Sequence, residues 1–161
     1  MESAHAADIA VPHYLVIHHT GIANSYMPAQ LQAVNNSHRA KWGNVSPYTG
    51  YYVEYHYFIG SDGTIVQTRD DSERTGHTRC DDEGDHCKNG LIDINNDSLG
   101  IVLAGNFNVE YPSDAQMKSL KQVVTILQNK YGISKNHVIP HHEASATACP
   151  GSHLIEMLWK E

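Results

Sequence analysis

The sequence of 161 residues is poor in basic side chains and contains no cluster of them. Its 11 lysines and arginines are outnumbered by 18 acidic residues, which gives a formal net charge of -7. Proteins that bind the phosphates of nucleic acids or the surface of anionic lipid need a basic patch. We therefore expect no nucleic-acid partner and no electrostatic docking to a membrane.

Long hydrophobic runs are also missing. No segment approaches the roughly 18 apolar residues of a membrane-spanning helix. The first ten residues contain Glu2 and Asp8 and lack the basic start and apolar centre of a secretory signal. We expect a protein made in the cytoplasm without membrane insertion, although a trimmed form of a secreted protein would have the same features.

The chain has no internal repeat, linker or low-complexity tract. Hydrophobic residues make up 40% and charged residues 18% of the sequence, which is an ordinary globular composition. A chain of this length buries roughly two thirds of its unfolded surface, so no disulfide is needed for stability. We expect one domain over residues 1–161, with its core from about residue 13 to residue 159.

Hydrophobic periodicity predicts an α/β fold. A capping box formed by Ser113 and Gln116 opens the clearest helix, and Gly132 ends it. Strands are predicted over residues 13–19, 52–59, 64–68, 98–104 and 137–141, and helices over residues 28–42, 113–131 and 151–159. This order predicts a single mixed central sheet of about five to six strands flanked by helices.

Histidine is the residue type in excess, with 12 copies. The segment from His141 to Gly151 holds two imidazoles, a carboxylate, a hydroxyl and a thiol. Imidazole and thiolate are the usual zinc ligands, and a catalytic zinc takes three protein ligands. The pair His18 and His19, at the end of the first strand, is the obvious source of the third. Neighbouring strand residues point to opposite faces, so only one of the two can face a given cavity.

Residues 70–96 have little hydrophobic pattern, and a long loop inside a small domain is often functional. The segment contains Cys80 and Cys87, for which three interpretations are open: a small disulfide loop, a second metal site assisted by His86, or two free thiols. The six-residue gap is wider than the two to four residues of zinc knuckles. The acidic run at 81–85 is interpreted as solvated surface.

Several short motifs occur in one order along the chain: VIHHT at 16–20, YHYFI at 55–59, DGT at 62–64, GHT at 76–78, NDSLGI at 96–101, GNF at 105–107, HHE at 141–143 and TACPG at 147–151. Together they resemble the zinc-dependent N-acetylmuramoyl-L-alanine amidases shared by bacteriophage endolysins and peptidoglycan recognition proteins. The resemblance extends from about Tyr14 to Leu158, and the joint pattern is far more specific than any single motif.

The resemblance implies that His18, His141 and Cys149 bind one zinc ion and that Tyr55 and Thr147 are catalytic. Thr147 stands where some phage members have lysine and many recognition proteins have threonine. A neutral hydroxyl donates a hydrogen bond but supplies no positive charge to a developing oxyanion.

Two further residues receive less specific interpretations. His77 is a candidate substrate contact, with a loop histidine in solvent as the alternative. Glu143 does not lie in a His-Glu-x-x-His helix, so we expect it to have a structural or outer-shell role rather than to act as the general base. The segment between His77 and Asn96 is longer than expected for the family.

The implied reaction is hydrolysis of the amide bond between N-acetylmuramic acid and L-alanine of the stem peptide by zinc-activated water. The expected protein is a monomeric, bacteriolytic peptidoglycan hydrolase. It would be a phage or prophage endolysin, made in the host cytoplasm and acting on the cell wall after release. The alternatives are a recognition module that binds peptidoglycan without cutting it, a cysteine hydrolase using Cys149 as nucleophile, and a muropeptide-recycling amidase, although such enzymes usually carry aspartate in place of Cys149.

Overall fold

A five-stranded mixed sheet forms the centre of the molecule. The computed structural model describes residues 9–23, 29–81 and 86–158. The strands are β1 Tyr14–His19, β2 Tyr57–Ile59, β3 Ile65–Gln67, β4 Ser98–Leu103 and β5 Val138–Pro140. Their spatial order is β3-β2-β4-β1-β5, in which only β3 runs antiparallel to its neighbour. The predicted mixed sheet is therefore confirmed, with five strands.

Three α-helices flank the sheet: α1 Ala29–Lys41, α2 Asp114–Tyr131 and α3 Ser152–Leu158. The predicted capping box is present, since the Ser113 hydroxyl accepts the N–H of Gln116 and the Gln116 side chain accepts the N–H of Ser113. Gly132 ends α2 in the left-handed conformation, at φ 68°. The predicted first residue of the first helix, Pro28, and the predicted last residue of the third, Trp159, lie outside the described residues. Within the described ranges, no helix is both long enough and apolar enough to cross a bilayer.

Both faces of the central strands are buried, as the continuous apolar pattern of β4 predicts. All six residues of β4 are buried. The face covered by α2 and α3 is built from Leu15, Ile17, Leu99, Ile101, Leu103, Met117, Leu120, Val123, Leu127 and Leu154. The opposite face packs against α1 and the long loops through Val16, Leu31, Val34, Phe58, Cys80, Ile94, Val102 and Ile139.

The predicted strand over residues 52–59 is wrong for its first five residues, because only 57–59 form a strand. Side chains of α1 accept the backbone N–H groups that a neighbouring strand would otherwise bind. The N–H of Tyr52 donates to Asn35 Oδ1 at 2.6 Å, and the N–H of Glu54 donates to His38 Nδ1 at 3.0 Å. These two hydrogen bonds hold the segment before β2 against α1, so β2 begins only at Tyr57.

The segment after β3 is more ordered than its sequence pattern suggests. Cys80 and Cys87 form a disulfide, so the first of the three interpretations is confirmed. Thr75, Thr78 and Asn95 are buried, and a 3-10 helix covers Ile94–Asn96. Of the acidic run, residues 82–85 lie outside the described residues.

Candidate metal centre

Two predicted zinc ligands stand side by side because their strands end together. Strands β1 and β5 are parallel neighbours, with Ile17 opposite Pro140. The next residues, His18 and His141, therefore project from the same edge of the sheet. Their ring centroids are 4.6 Å apart. Of the His18–His19 pair, His18 is the residue whose ring faces His141. The His19 ring lies beside Phe107, and its Nδ1 accepts the N–H of Phe107 at 3.1 Å.

Cys149 reaches the same point from the loop before α3. Its Sγ lies 3.8 Å from Nδ1 of His18 and accepts the N–H of His19 at 3.3 Å. Gly151 lets this loop approach the body of the protein, since a Cβ there would lie 2.5 Å from the Phe107 carbonyl carbon. One ligand atom from each of His18, His141 and Cys149 lies within 4.8 Å of the others.

This arrangement fits a zinc ion. Zinc–nitrogen bonds of about 2.0–2.1 Å and zinc–sulfur bonds of about 2.3 Å place tetrahedral nitrogen and sulfur ligands roughly 3.5 Å apart. The observed His18–Cys149 distance of 3.8 Å is close to that value. Ser145 lies 2.8 Å from His141 Nε2, while the buried Nδ1 of His141 has no hydrogen-bond partner among the described residues. An unpartnered ring nitrogen beside a thiol and a second imidazole is a donor set suited to zinc.

Burial decides the protonation of the three candidate ligands. It lowers the pKa of His18 well below 6.5, with further lowering from His141 and His77. Burial also lowers the pKa of His141 to about 4, so both rings are neutral near pH 7, as ligation requires. The pKa of Cys149 is raised to about 12 by burial, which the N–H of His19 partly opposes. A thiolate at this position needs a cation to offset the loss of water.

His77 lies beneath His18 rather than in solvent. Only 5% of His77 is exposed, so the alternative of a solvent-exposed loop histidine is wrong. Its Nδ1 is 2.9 Å from His18 Nε2, and its Nε2 is 2.9 Å from Ser98 Oγ. A ring with both nitrogens engaged inside the protein is better suited to supporting His18 than to binding substrate. The predicted substrate contact stays a prediction, although His77 does line the adjoining cleft.

The two residues predicted to be catalytic lie beside the candidate ligands. The Tyr55 ring centroid is 4.8 Å from that of His18. Burial, with smaller effects from Cys149 and Glu54, raises the Tyr55 pKa above its usual value, so the hydroxyl keeps its proton near pH 7. Thr147 Oγ1 accepts the N–H of Cys149 at 3.1 Å. Their catalytic roles stay predictions.

Glu143 is not part of the candidate metal site. The ligand group contains only His18, His141 and Cys149 among the described residues. The backbone carbonyl of Glu143 accepts the Asn89 side chain at 2.8 Å. The structural role expected for Glu143 from the sequence stays a prediction.

A cleft of about 500 Å³ opens beside the site. Tyr55, His77 and His141 form part of its lining. The C-terminal end of α1 forms one side, and the segment that carries the disulfide forms another. These two sides bring charged and aromatic side chains to the cleft: Lys41, Trp42, Arg74, Arg79, Asp81 and His86.

A buried ion network under the cleft was not predicted from the sequence. Arg69 is fully buried and lies 3.1 Å from a Glu73 carboxylate oxygen and 3.3 Å from one of Glu54. The other Glu54 oxygen accepts the N–H of Gly76 at 3.1 Å. Because Glu54 precedes Tyr55 and Gly76 precedes His77, the network joins the two segments that supply these rings. No sequence feature singles out Arg69.

Ser98 was also missed as a site residue, although the sequence contains a signal. Gly100 interrupts the apolar strand β4, and glycine within a strand often marks close approach by another group. A Cβ at Gly100 would lie 2.9 Å from Cγ and Nδ1 of His77. Gly100 therefore provides the space in which His77 contacts Ser98.

Comparison with known proteins gives one consistent family. The family model described as N-acetylmuramoyl-L-alanine amidase matches residues 8–152. A peptidoglycan-recognition protein of Drosophila melanogaster is 29% identical over 152 residues, which cover 91% of this chain and 72% of that protein. An N-acetylmuramoyl-L-alanine amidase of Sus scrofa is 26% identical over 108 residues, covering 66% of this chain and 16% of that protein.

Solved structures share the fold. The endolysin amidase LysCS from Clostridium intestinale URNW has a TM-score of 0.67 and 29% identity, covering 88% of this chain and 76% of that one. Drosophila PGRP-LB has a TM-score of 0.73, covers 94% of this chain and 84% of that one, and at 22% identity shows the fold alone. This chain belongs to the N-acetylmuramoyl-L-alanine amidase family, whose fold is shared by the peptidoglycan recognition proteins.

Proposed function

We propose that this protein is a zinc-dependent amidase that hydrolyses the bond between N-acetylmuramic acid and L-alanine in bacterial peptidoglycan. The observation that carries the proposal is the convergence of His18, His141 and Cys149, whose ligand atoms lie within 4.8 Å of one another. The family match over residues 8–152 supports the substrate and the bond.

The zinc ion would be held by Nδ1 of His18, Nδ1 of His141 and Sγ of Cys149. When bound, it supplies a Lewis acid that polarises the scissile carbonyl and activates water. Two neutral imidazoles and one thiolate leave a net charge of +1 on such a site, which suits an anionic transition state. Three protein ligands are also the number that catalytic zinc sites use.

Tyr55 and Thr147 would act as hydrogen-bond donors to the reacting oxygen. The raised pKa of Tyr55 keeps its hydroxyl protonated, so it donates instead of adding negative charge. Thr147 accepts the N–H of Cys149, and its own proton can be donated into the site. Donors fixed in advance stabilise charge that develops in the transition state. The cleft beside them would bind the stem peptide and orient its first amide.

Two other functions have less support. A module that only recognises peptidoglycan needs the cleft, but it does not need three zinc-type donors next to a tyrosine hydroxyl. A cysteine hydrolase needs a thiol with a lowered pKa, whereas burial raises the pKa of Cys149 to about 12. Both observations favour metal-assisted hydrolysis.

The proposed context is a phage or prophage endolysin that acts on the cell wall after release from the host cytoplasm. The 29% identity to the Clostridium intestinale endolysin supports this context. The Cys80–Cys87 disulfide suits action outside the reducing cytoplasm. Expression in a bacterial cytoplasm should cause lysis only when a membrane-permeabilising agent is added. Absence of lysis in both conditions would contradict the endolysin context.

Mass spectrometry of digested, purified peptidoglycan tests the activity and the bond together. We expect stem peptides with a free L-alanine amino group, no release by chelated protein, and recovery of release after zinc is added. His13→Ala serves as a control histidine substitution outside the metal site, because the His13 side chain is 64% exposed and its ring pairs with Asp97 and not with a candidate ligand. Zinc-loaded protein that releases nothing would indicate a recognition module, and release at another bond would indicate a different hydrolase.

A further inference from the structure

A chain of hydrogen bonds runs from His18 to a backbone carbonyl. Ser98 Oγ lies 2.7 Å from the carbonyl oxygen of Ile94 and 2.9 Å from Nε2 of His77. A carbonyl oxygen carries no hydrogen, so the serine hydroxyl must donate to it. Since a hydroxyl has only one proton, Ser98 Oγ can only accept from His77. Nε2 of His77 therefore carries a hydrogen.

The same reasoning extends to the next ring. A neutral imidazole protonated on Nε2 has a lone pair on Nδ1. Nδ1 of His77 lies 2.9 Å from Nε2 of His18, so the hydrogen between them belongs to His18. Nδ1 of His18 is then left with a lone pair, and it is this nitrogen that lies 3.8 Å from the sulfur of Cys149.

We propose that Ser98 and His77 are positioning residues that hold His18 in the tautomer whose Nδ1 faces the metal, an inference that rests on the proposed function. Because a carbonyl oxygen can only accept a hydrogen bond, the Ile94 carbonyl fixes which atom donates in the Ser98–Ile94, His77–Ser98 and His18–His77 hydrogen bonds. Histidine ligands generally donate their second N–H to a carboxylate, a carbonyl or water. In this protein His18 donates instead to His77, which donates to Ser98, and Ser98 donates to the Ile94 carbonyl; we call this series of hydrogen bonds the relay.

Burial makes the relay hard to replace. The exposed fractions are 1% for His18, 5% for His77 and 0% for Ser98. Water is therefore a poor substitute for a lost partner, and an unpaired buried N–H is costly. Gly100 leaves the space that the His77 ring occupies, because a Cβ at this position would lie 2.9 Å from the ring.

The test combines tautomer measurement with zinc affinity. Long-range 1H–15N spectra of histidine-labelled protein, recorded without metal and with zinc, should show both His18 and His77 protonated on Nε2. Competition with a chromophoric chelator should show that Ser98→Ala and His77→Phe bind zinc about 10–100-fold more weakly. His77→Asn should retain most of the affinity, because its amide oxygen can accept from His18.

Ser119→Ala is the matched control. Ser119 is also buried, at 9% exposure, and its hydroxyl also donates to a backbone carbonyl, that of Gly63 at 2.6 Å, but it lies on α2 and outside the metal site. It should bind zinc with the parent affinity. Parent affinity in folded Ser98→Ala and His77→Phe, or a metal-free parent with His18 protonated on Nδ1, would overturn the relay. Because neither readout uses peptidoglycan, a protein with the expected tautomers that cleaves nothing would contradict only the proposed function.

Discussion

Nδ1 of His18 lies 3.8 Å from Sγ of Cys149, although 131 positions separate the two residues in the chain. The contact exists because β1 ends beside β5 and because the loop after β5 returns to the same edge of the sheet. The site therefore depends on the strand register and on the close packing of Gly151 against Phe107.

Tyr55→Phe should retain zinc but cleave peptidoglycan about 100–1,000-fold more slowly, the range for loss of one oxyanion donor. The ring would still pack against His18, so the fold and the metal site should be unaffected. Cleavage rate and zinc content would be measured on the same sample. Tyr48→Phe, which alters a tyrosine that is 63% exposed, should cleave at the parent rate. If Tyr55→Phe also kept the parent rate, the catalytic role of Tyr55 would be wrong.

Arg69→Met should lower the free energy of unfolding by about 3–5 kcal/mol, because it leaves Glu54 and Glu73 buried without their cation. Chemical denaturation followed by circular dichroism would measure the change. Lys121→Met, on the exposed face of α2, should change stability by less than about 0.5 kcal/mol. Equal effects from the two substitutions would show that the network contributes little.

Removal of the disulfide by Cys80→Ala with Cys87→Ala should lower the free energy of unfolding by about 2 kcal/mol, because the unfolded chain gains the entropy that a short closed loop denies it. The disulfide holds a segment that lines the cleft, so KM for peptidoglycan should rise while zinc content stays at the parent value. Steady-state kinetics on soluble peptidoglycan fragments would separate KM from kcat. An unchanged KM would mean that this side of the cleft does not contact substrate.

The buried ring of His56 should make stability depend on pH. Burial lowers its pKa to about 4, while the unfolded value is near 6.5. The unfolded chain therefore binds more protons between these values, so stability is full above pH 6.5 and declines as the pH falls toward 4. A difference of this size corresponds to about 3 kcal/mol.

His56→Gln removes this titration, so its unfolding free energy should vary less between pH 6.5 and 4 than that of the parent. The comparison is made on zinc-free protein, in order that metal release does not contribute. The Gln side chain can still hydrogen-bond near Gly100 and Glu73, which His56 contacts at 3.0 and 2.7 Å. Parallel pH curves for the two proteins would contradict a neutral, buried His56.

The sequence predicts most of the fold because the signals are local. The apolar run of β4, the capping box at Ser113 and the terminating Gly132 all lie within the elements they specify. The residues of segment 52–56 favour strands, so local propensity predicts a strand there. Asn35 and His38 of α1 bind its backbone instead, and that pairing is a tertiary contact with no local signal.

In the candidate site, too, some residues are predictable from the sequence and others depend on tertiary contacts. The sequence predicts His18, His141 and Cys149 as ligands because ligand-type residues in a familiar order identify a family. The places of His77 and Ser98 depend on which loop packs against β4, and residue type alone carries no such information. Gly100 was the available signal, since a glycine in a buried strand indicates that another group comes close.

Zinc stoichiometry most directly tests the central claim that His18, His141 and Cys149 form one metal site. Elemental analysis of purified protein, after equilibration with micromolar zinc and removal of free metal, should give one zinc per chain for the parent. Cys149→Ser should bind zinc at least about 100-fold more weakly, because even outer partners of a ligand contribute 10–100-fold. A parent that takes up no zinc, or a Cys149→Ser variant that retains a full equivalent, would contradict the account.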